Sequence, residues 1–216
     1  MKGISLFLIT AAAAGGMLLG CGEKQTVFSP TDTCVYVAED GRILSALVEP
    51  YEGTVESEDL KKYLQAAVIS YNEANGAEGK AENKPGSKEL LPVALVNLEK
   101  TDRVIKAVFE YASVEDLIHF RQTEENEDNS NTLTALTVKP AEEATDWFLA
   151  QDFTKAGNSI SLEELKENSE GMAAYIEGGG TIQFAGKVLY VALDAEEKDE
   201  YTVTVPDGGK AYVVFK

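Results

Sequence analysis

Residues 34–49, CVYVAEDGRILSALVE, decide the fold. Two apolar runs, 34–38 and 43–49, flank the pair Asp40-Gly41. Asp-Gly between apolar runs is the strongest short-range hairpin signal, because both central residues of the turn must accept positive φ. A helix is predicted next. Ser57 is placed as its N-cap, with Glu58 and Asp59 in the first turn, where the helix dipole favours negative charge. Leu60, Tyr63, Leu64, Ala67, Val68 and Tyr71 recur at helical spacing until Asn75-Gly76 ends the run. Residues 76–88, rich in Gly, Glu and Lys, form a loop.

The same order then recurs. Residues 91–98 and 104–111 read as strands joined by a short turn. In the second, Ile105, Ala107, Phe109 and Tyr111 share one face and Lys106 and Glu110 the other, as in a half-buried antiparallel strand. Ser113 to Asp116 is a capping-box-like start for a helix carrying Leu117, Ile118 and Phe120. Residues 34–121 therefore read as hairpin–helix, hairpin–helix (ββαββα). Residues 122–132 form an acidic polar loop. Beyond it, 134–138 reads as a strand and 140–150 as a short helix turning Trp147 and Phe148 inward. Ser161 opens another capping box. From Met172 onward every signal is β: runs 173–177, 181–185, 187–193, 201–205 and 211–216, punctuated by Gly178-Gly179-Gly180, Gly186, 195–200 and Pro206-Asp207-Gly208-Gly209. The expected class is α+β, an antiparallel sheet of hairpin–helix units followed by a β-rich half, 133–216.

Upstream, Met1-Lys2 precedes an uncharged apolar run, residues 3–19 (GISLFLITAAAAGGMLL), ending at Leu18-Leu19-Gly20-Cys21. That tetrapeptide resembles the lipobox of bacterial lipoproteins: an aliphatic residue, a variable one, a small one and an obligatory Cys. The resemblance implies that residues 1–20 are a signal peptide cut between Gly20 and Cys21, and that the Cys21 thiol carries a thioether-linked diacylglycerol. Two acyl chains suffice for a stable anchor, at about 0.8 kcal/mol per buried methylene. Residues 21–33 are polar and read as a tether. The implied location is the cell membrane, lipid-anchored, on its extracytoplasmic face.

The body also resembles a group of small lipoproteins from anaerobic Gram-positive bacteria. The resemblance is carried by Tyr36-Val37 with Asp40-Gly41, Asp59-Leu60, Ser70-Tyr71-Asn72, Tyr111-Ala112-Ser113 with Asp116, residues 186–191, and the terminal 212–216. It implies an anchored extracytoplasmic protein and no particular activity.

Composition bounds the chemistry. The 216 residues hold 19 Lys plus Arg against 37 Asp plus Glu, a formal charge of −18. Nucleic acid is excluded as a partner, because phosphate binding needs cations to displace counterions. The same acidity disfavours adhesion to anionic lipid, so the membrane is reached through the lipid alone. His119 is the only histidine, and no G-x-S-x-G is present, so nucleophilic triads have little material. With Cys21 lipidated, Cys34 has no partner and is expected to be a buried thiol. Glu124, Glu125, Glu127 and Asp128 offer oxygen ligands for Ca²⁺, but an EF-hand starting at Glu124 would need Gly where Asn129 stands and Glu where Ala135 stands. A solvated loop is expected there. Gly178-Gly179-Gly180 is expected to be a hairpin turn, residues 196–200 a charged turn, and most tyrosines (Tyr36, Tyr63, Tyr71, Tyr111, Tyr190, Tyr212) core. The expected function is non-catalytic binding of a protein or small molecule, with no cofactor and no metal. The alternative is a cell-envelope hydrolase using Asp/Glu carboxylates.

Cys21→Ala should abolish lipidation and normal processing. Intact-mass measurement of the cell-made protein checks this: a mass differing from wild type by the side-chain change alone would refute the lipobox reading.

Overall fold

Gly41 takes φ +81°, its N–H donates to Ala38 O at 3.0 Å, and the chain reverses where the Asp-Gly pair predicts. The computed structural model describes residues 28–123, 132–168 and 171–216. Among these the chain is a mixed α/β protein dominated by one sheet of 11 strands, with four α-helices. The first hairpin pairs β1 (Cys34–Val37) with β2 (Ile43–Pro50). Helix α1 (Ser57–Ala74) leads to the hairpin β3 (Val93–Lys100) and β4 (Val104–Tyr111), then α2 (Val114–Thr123). The second half contributes β5 (Ala135–Pro140), a 3-10 turn, α3 (Thr145–Ala150), β6 (Phe153–Lys155), β7 (Asn158–Ser159) and α4 (Leu162–Asn168). It ends with β8 (Met172–Phe184), β9 (Val188–Leu193), β10 (Glu196–Asp199) and β11 (Thr202–Phe215).

The halves 34–121 and 133–216 share this sheet, whose order is β3-β4-β2-β1-β8-β11-β9-β6-β7, with β5 also on β8 and β10 on β11. The join is the parallel pairing of β1 with β8, Val35 opposite Ile182 and Val37 opposite Phe184. As the strand at that join, β1 is buried on both faces, which is why it reads as an unbroken apolar run.

Two sequence expectations fail here for one reason. Gly178-Gly179-Gly180 is no hairpin turn, and Pro206 to Gly209 does not end a strand: both lie inside the long partners β8 and β11. The ladder runs from Thr202 opposite Gln183 to Phe215 opposite Met172, with a bulge between Val205 and Gly209. Gly178 and Gly180 take φ +105° and +133°. A β-carbon on Gly178 would lie 2.1 Å from Thr132 O, and one on Gly179 2.5 Å from Asp207 Oδ1. The glycines let the segment entering β5 cross against the strand, and they bend the ribbon. The bend is large. Phe184 and Phe215 sit at opposite ends of a ribbon that would be about 40 Å long if straight, yet their ring centroids are 4.4 Å apart. Reciprocal backbone bonds between Lys187 and Lys216 (2.6 and 2.9 Å) fasten the ends.

The inner face of the curled sheet holds the main core: Val35, Val37, Phe109, Tyr111, Ile176, Ile182, Phe184, Val213 and Phe215, with Leu64, Val68, Leu117 and Phe120 from α1 and α2. Helix α1 buries a narrower stripe than its spacing predicts. Tyr63 is 68% exposed, and the cap position is Glu56, making Ser57 the first helical residue. Asn72 is fully buried. Its Nδ2 donates to the carbonyls of Lys80 and Val93 (both 2.8 Å), and its Oδ1 accepts from Val93 N (3.0 Å), so it stands in for a strand neighbour along the edge of β3. The Ser113 cap forms as predicted, its hydroxyl accepting from Asp116 N at 3.0 Å and donating to Asp116 Oδ2 at 2.6 Å.

On the outer face, residues 28–33 of the expected tether pack rather than hang free. Phe28 stacks on Tyr36 at 4.5 Å beside Cys34, Ala46 and Val108, and the Thr33 hydroxyl bonds both the N–H and the carbonyl of Val48. Lys198 holds Asp32 at 2.9 Å.

Gly178→Ala should lower unfolding free energy by about 3–5 kcal/mol, combining left-handed strain with a backbone clash. Gly41→Ala, whose new β-carbon meets nothing within 4 Å, should cost only about 1–2 kcal/mol of strain. Urea titration of the pair checks the difference; equal losses would refute the crossing as the constraint.

Candidate functional site

Strand alternation decides which side chains leave the core. In β8, Ala174 and Ile176 point inward, so Ala173, Tyr175 and Glu177 point out. The β11 register places Val214 opposite Ala173, Tyr212 opposite Tyr175 and Lys210 opposite Glu177. On the far side of β11, Ala192 and Tyr190 continue the rows, and Phe153 of β6 lies opposite Ala192. The 3-10 turn (Ala141–Ala144), α3 and α4 cover one end of this face: Phe148, Phe153, Leu165, Tyr190 and Val214 are buried together, with Phe148 edge-on to Phe153 at 5.5 Å.

The cover stops at the second row. Trp147, Tyr175 and Tyr212 remain partly exposed, and their ring centroids form a triangle: Tyr175–Tyr212 5.0 Å, Trp147–Tyr212 5.3 Å and Trp147–Tyr175 6.3 Å. The rings are mutually tilted by 42–56° and in contact, a faceted and partly exposed aromatic cluster that forms the cup of this face. Two ion pairs edge it. Lys139 Nζ sits 4.0 Å from the centre of the Trp147 ring and 3.2 Å from Asp146 Oδ1. Lys210 Nζ lies 3.1 Å from Glu177 Oε1, and the Tyr175 hydroxyl donates to Glu177 Oε2 at 2.7 Å.

These contacts set the charge states. The hydrogen bond from Tyr175, then the Lys210 ammonium, hold the Glu177 carboxyl below the usual range. Its carboxylate in turn raises the Tyr175 phenol and the Lys210 ammonium. Lys139 likewise lowers Asp146 through its hydrogen bond. The rim is therefore two carboxylates and two ammonium groups at neutral pH, locally balanced on a chain of charge −18.

The residues singled out from sequence fall elsewhere. Gly20 and Cys21, and the acidic run Glu124 to Asp128, lie outside the described residues. Cys34 is 4% exposed, as expected of a structural thiol, and burial, reinforced by the nearby Asp32, pushes its pKa up to about 11. His119 is exposed on α2. Residues 196–199, expected as a charged turn, instead form the exposed strand β10 on β11. Among the described residues no cluster of His, Cys, Asp and Glu could hold a metal ion, and no helix is long and apolar enough to cross a membrane. Tyr212, expected in the core with its neighbours, instead opens outward with Tyr175. The readable signal is period-two alternation with Val213, which places the two residues on opposite faces. The chain matches no family model, no curated protein and no solved structure.

The raised Cys34 pKa makes a signed prediction. The native state favours the neutral thiol, so its contribution is complete below the ordinary value of 9.0 and is lost as pH rises toward about 11. The loss is about 2–3 kcal/mol. Chemical denaturation across that window should show a steeper decline for wild type than for Cys34→Ala; parallel curves would refute it. In a Cys21→Ser background, Cys34 should resist a thiol reagent until denaturant is added.

Proposed function

We propose that this is a lipid-anchored extracytoplasmic lipoprotein, held at the cell membrane by acylated Cys21, and that it acts as a non-catalytic binding module through the cup of Trp147, Tyr175 and Tyr212. The observation that carries the binding reading is three partly exposed aromatic rings assembled from two strands and a helix, rimmed by paired charges. Large aromatic side chains with few rotatable bonds supply contact area at low entropic cost, and they dominate recognition surfaces. The anchor reading is supported by the agreement of Lys2, the apolar run, Gly20 and Cys21 in order and spacing. The first half reads as two hairpin–helix units, ββαββα, a reading supported by the antiparallel pairing of β2 with β4, the second strand of each hairpin.

Position and tether argue for a ligand in the envelope. Phe28 is packed on the sheet, so the chain between the acylated Cys21 and the body can reach at most about 25 Å at full extension. The cup is thus confined to the zone just outside the membrane, within reach of the inner side of the cell wall.

Isolated Gram-positive cell walls should sediment the full chain from detergent and shift the emission of Trp147, the chain's single tryptophan, with no release of reducing ends. Failure to bind would overturn the binding reading; release of reducing ends would overturn the non-catalytic one and favour a carboxylate hydrolase.

A further inference from the structure

Residues 28–33 lie ahead of the first ladder pair of β1, Cys34 opposite Ala46, so no strand pairing holds them. Side chains do. The Phe28 ring stacks on Tyr36 at 4.5 Å and closes an apolar patch around Cys34, Ala46 and Val108. Pro30 is buried. The Thr33 hydroxyl accepts from Val48 N at 2.9 Å and donates to its carbonyl at 3.1 Å, and Asp32 meets Lys198 in an exposed ion pair. Each of these ties is individually weak, the exposed ion pair most of all.

The body does not depend on them. The patch beneath Phe28 is separate from the main core, into which Val35 and Val37 of the same strand point. Strand β1 keeps both neighbours, β2 and β8, whether or not 28–33 is seated. A segment with few buried apolar contacts and no backbone ladder opens at a lower free energy than the core it covers. Lifting this one does two things. It uncovers Cys34, which is 4% exposed when the segment is down. It also moves the body's point of attachment from Phe28 to Cys34, which raises the greatest reach of the tether from about 25 to about 45 Å.

We infer that residues 28–33 are a releasable strap, closed over the Cys34 patch or lifted from it while the sheet stays folded, and that its two states give the anchored body two heights above the membrane. The heights rest on the anchor reading above; the strap does not. Cys34 reports the opening. In the full chain in detergent, thiol labelling followed at Cys34 by peptide mapping should begin at urea concentrations below the global transition. Its urea dependence should be shallower than that of global unfolding, because less surface is exposed. Labelling of the opened form tracks its population. Phe28→Ala should therefore speed labelling without urea at least about tenfold, and Thr33→Val severalfold. Gly41→Ala, which weakens the fold elsewhere by a comparable amount, should leave that rate as in wild type. Labelling that begins only with global unfolding overturns the strap, as does Phe28→Ala labelling no faster than wild type. In vesicles, energy transfer from Trp147, the single tryptophan, to a dansyl-labelled lipid headgroup should fall in Phe28→Ala; transfer that does not fall overturns the two heights. The thiol count in full denaturant separates the failures. One reactive thiol per chain is expected with Cys21 acylated and two without, and two would remove the heights together with the anchor reading while the strap stands or falls on Cys34.

Discussion

A backbone crossing at Gly178 is the constraint on which the architecture depends. The chain entering β5 passes so close that its Thr132 carbonyl occupies the space of any side chain at Gly178, and the Thr132 hydroxyl bonds Asp207 at 3.0 Å from the other strand of the ribbon. Because β8 and β11 can bend at that crossing, their far ends meet. The inner face then encloses apolar residues from both ends of the chain, and β1 finds the second half of β8 unoccupied by β5. A straight ribbon would present β5 and β1 along one edge but could not bring Phe184 to Phe215.

Curling gives the sheet two outer surfaces of different character. Over β1, β2 and β4 the outside is closed by Phe28 with Cys34, Leu44, Ala46, Val48 and Val108, and Arg42 and Asn83 bond Glu110 at its margin. Over β8 and β11 it is closed at one end by the short helices and left open at the aromatic cup. The open part gathers the chain's only tryptophan with two tyrosines, although aromatic residues are just 8% of the sequence. Elsewhere among the described residues large apolar side chains such as Tyr63, Val96 and Leu193 stand exposed singly, whereas here three aromatic rings are gathered in contact.

What is legible in the sequence is what local chemistry determines. The hairpin at Asp40-Gly41, the strand 104–111 and the Ser113 and Ser161 caps depend on residues within a few positions of one another, and each forms where predicted. The glycine triplet misleads because a turn and a bulge make the same local demand for positive φ; the deciding contact comes from Thr132, far away in sequence. The cup escapes notice for a related reason. Alternation tells which residues share a face, yet both faces of β11 carry apolar residues, and only the placement of α3 reveals which of them are covered. Tyr63 departs from expectation in the same direction, its helical spacing being genuine while its side of α1 meets no partner surface that buries it.

The packed segment 28–33 also determines how the molecule would carry load under the proposed anchoring. A pull between Cys21 and a ligand in the cup enters the body at Phe28, peels the ring from Tyr36 and the Thr33 hydroxyl from Val48, and then acts along β1. That strand is flanked by β2 on one side and β8 on the other. Tension along its axis shears both ladders at once, so their hydrogen bonds resist together instead of opening one after another. The first contacts to yield would serve as a short extensible link, and the strand behind them as a stop.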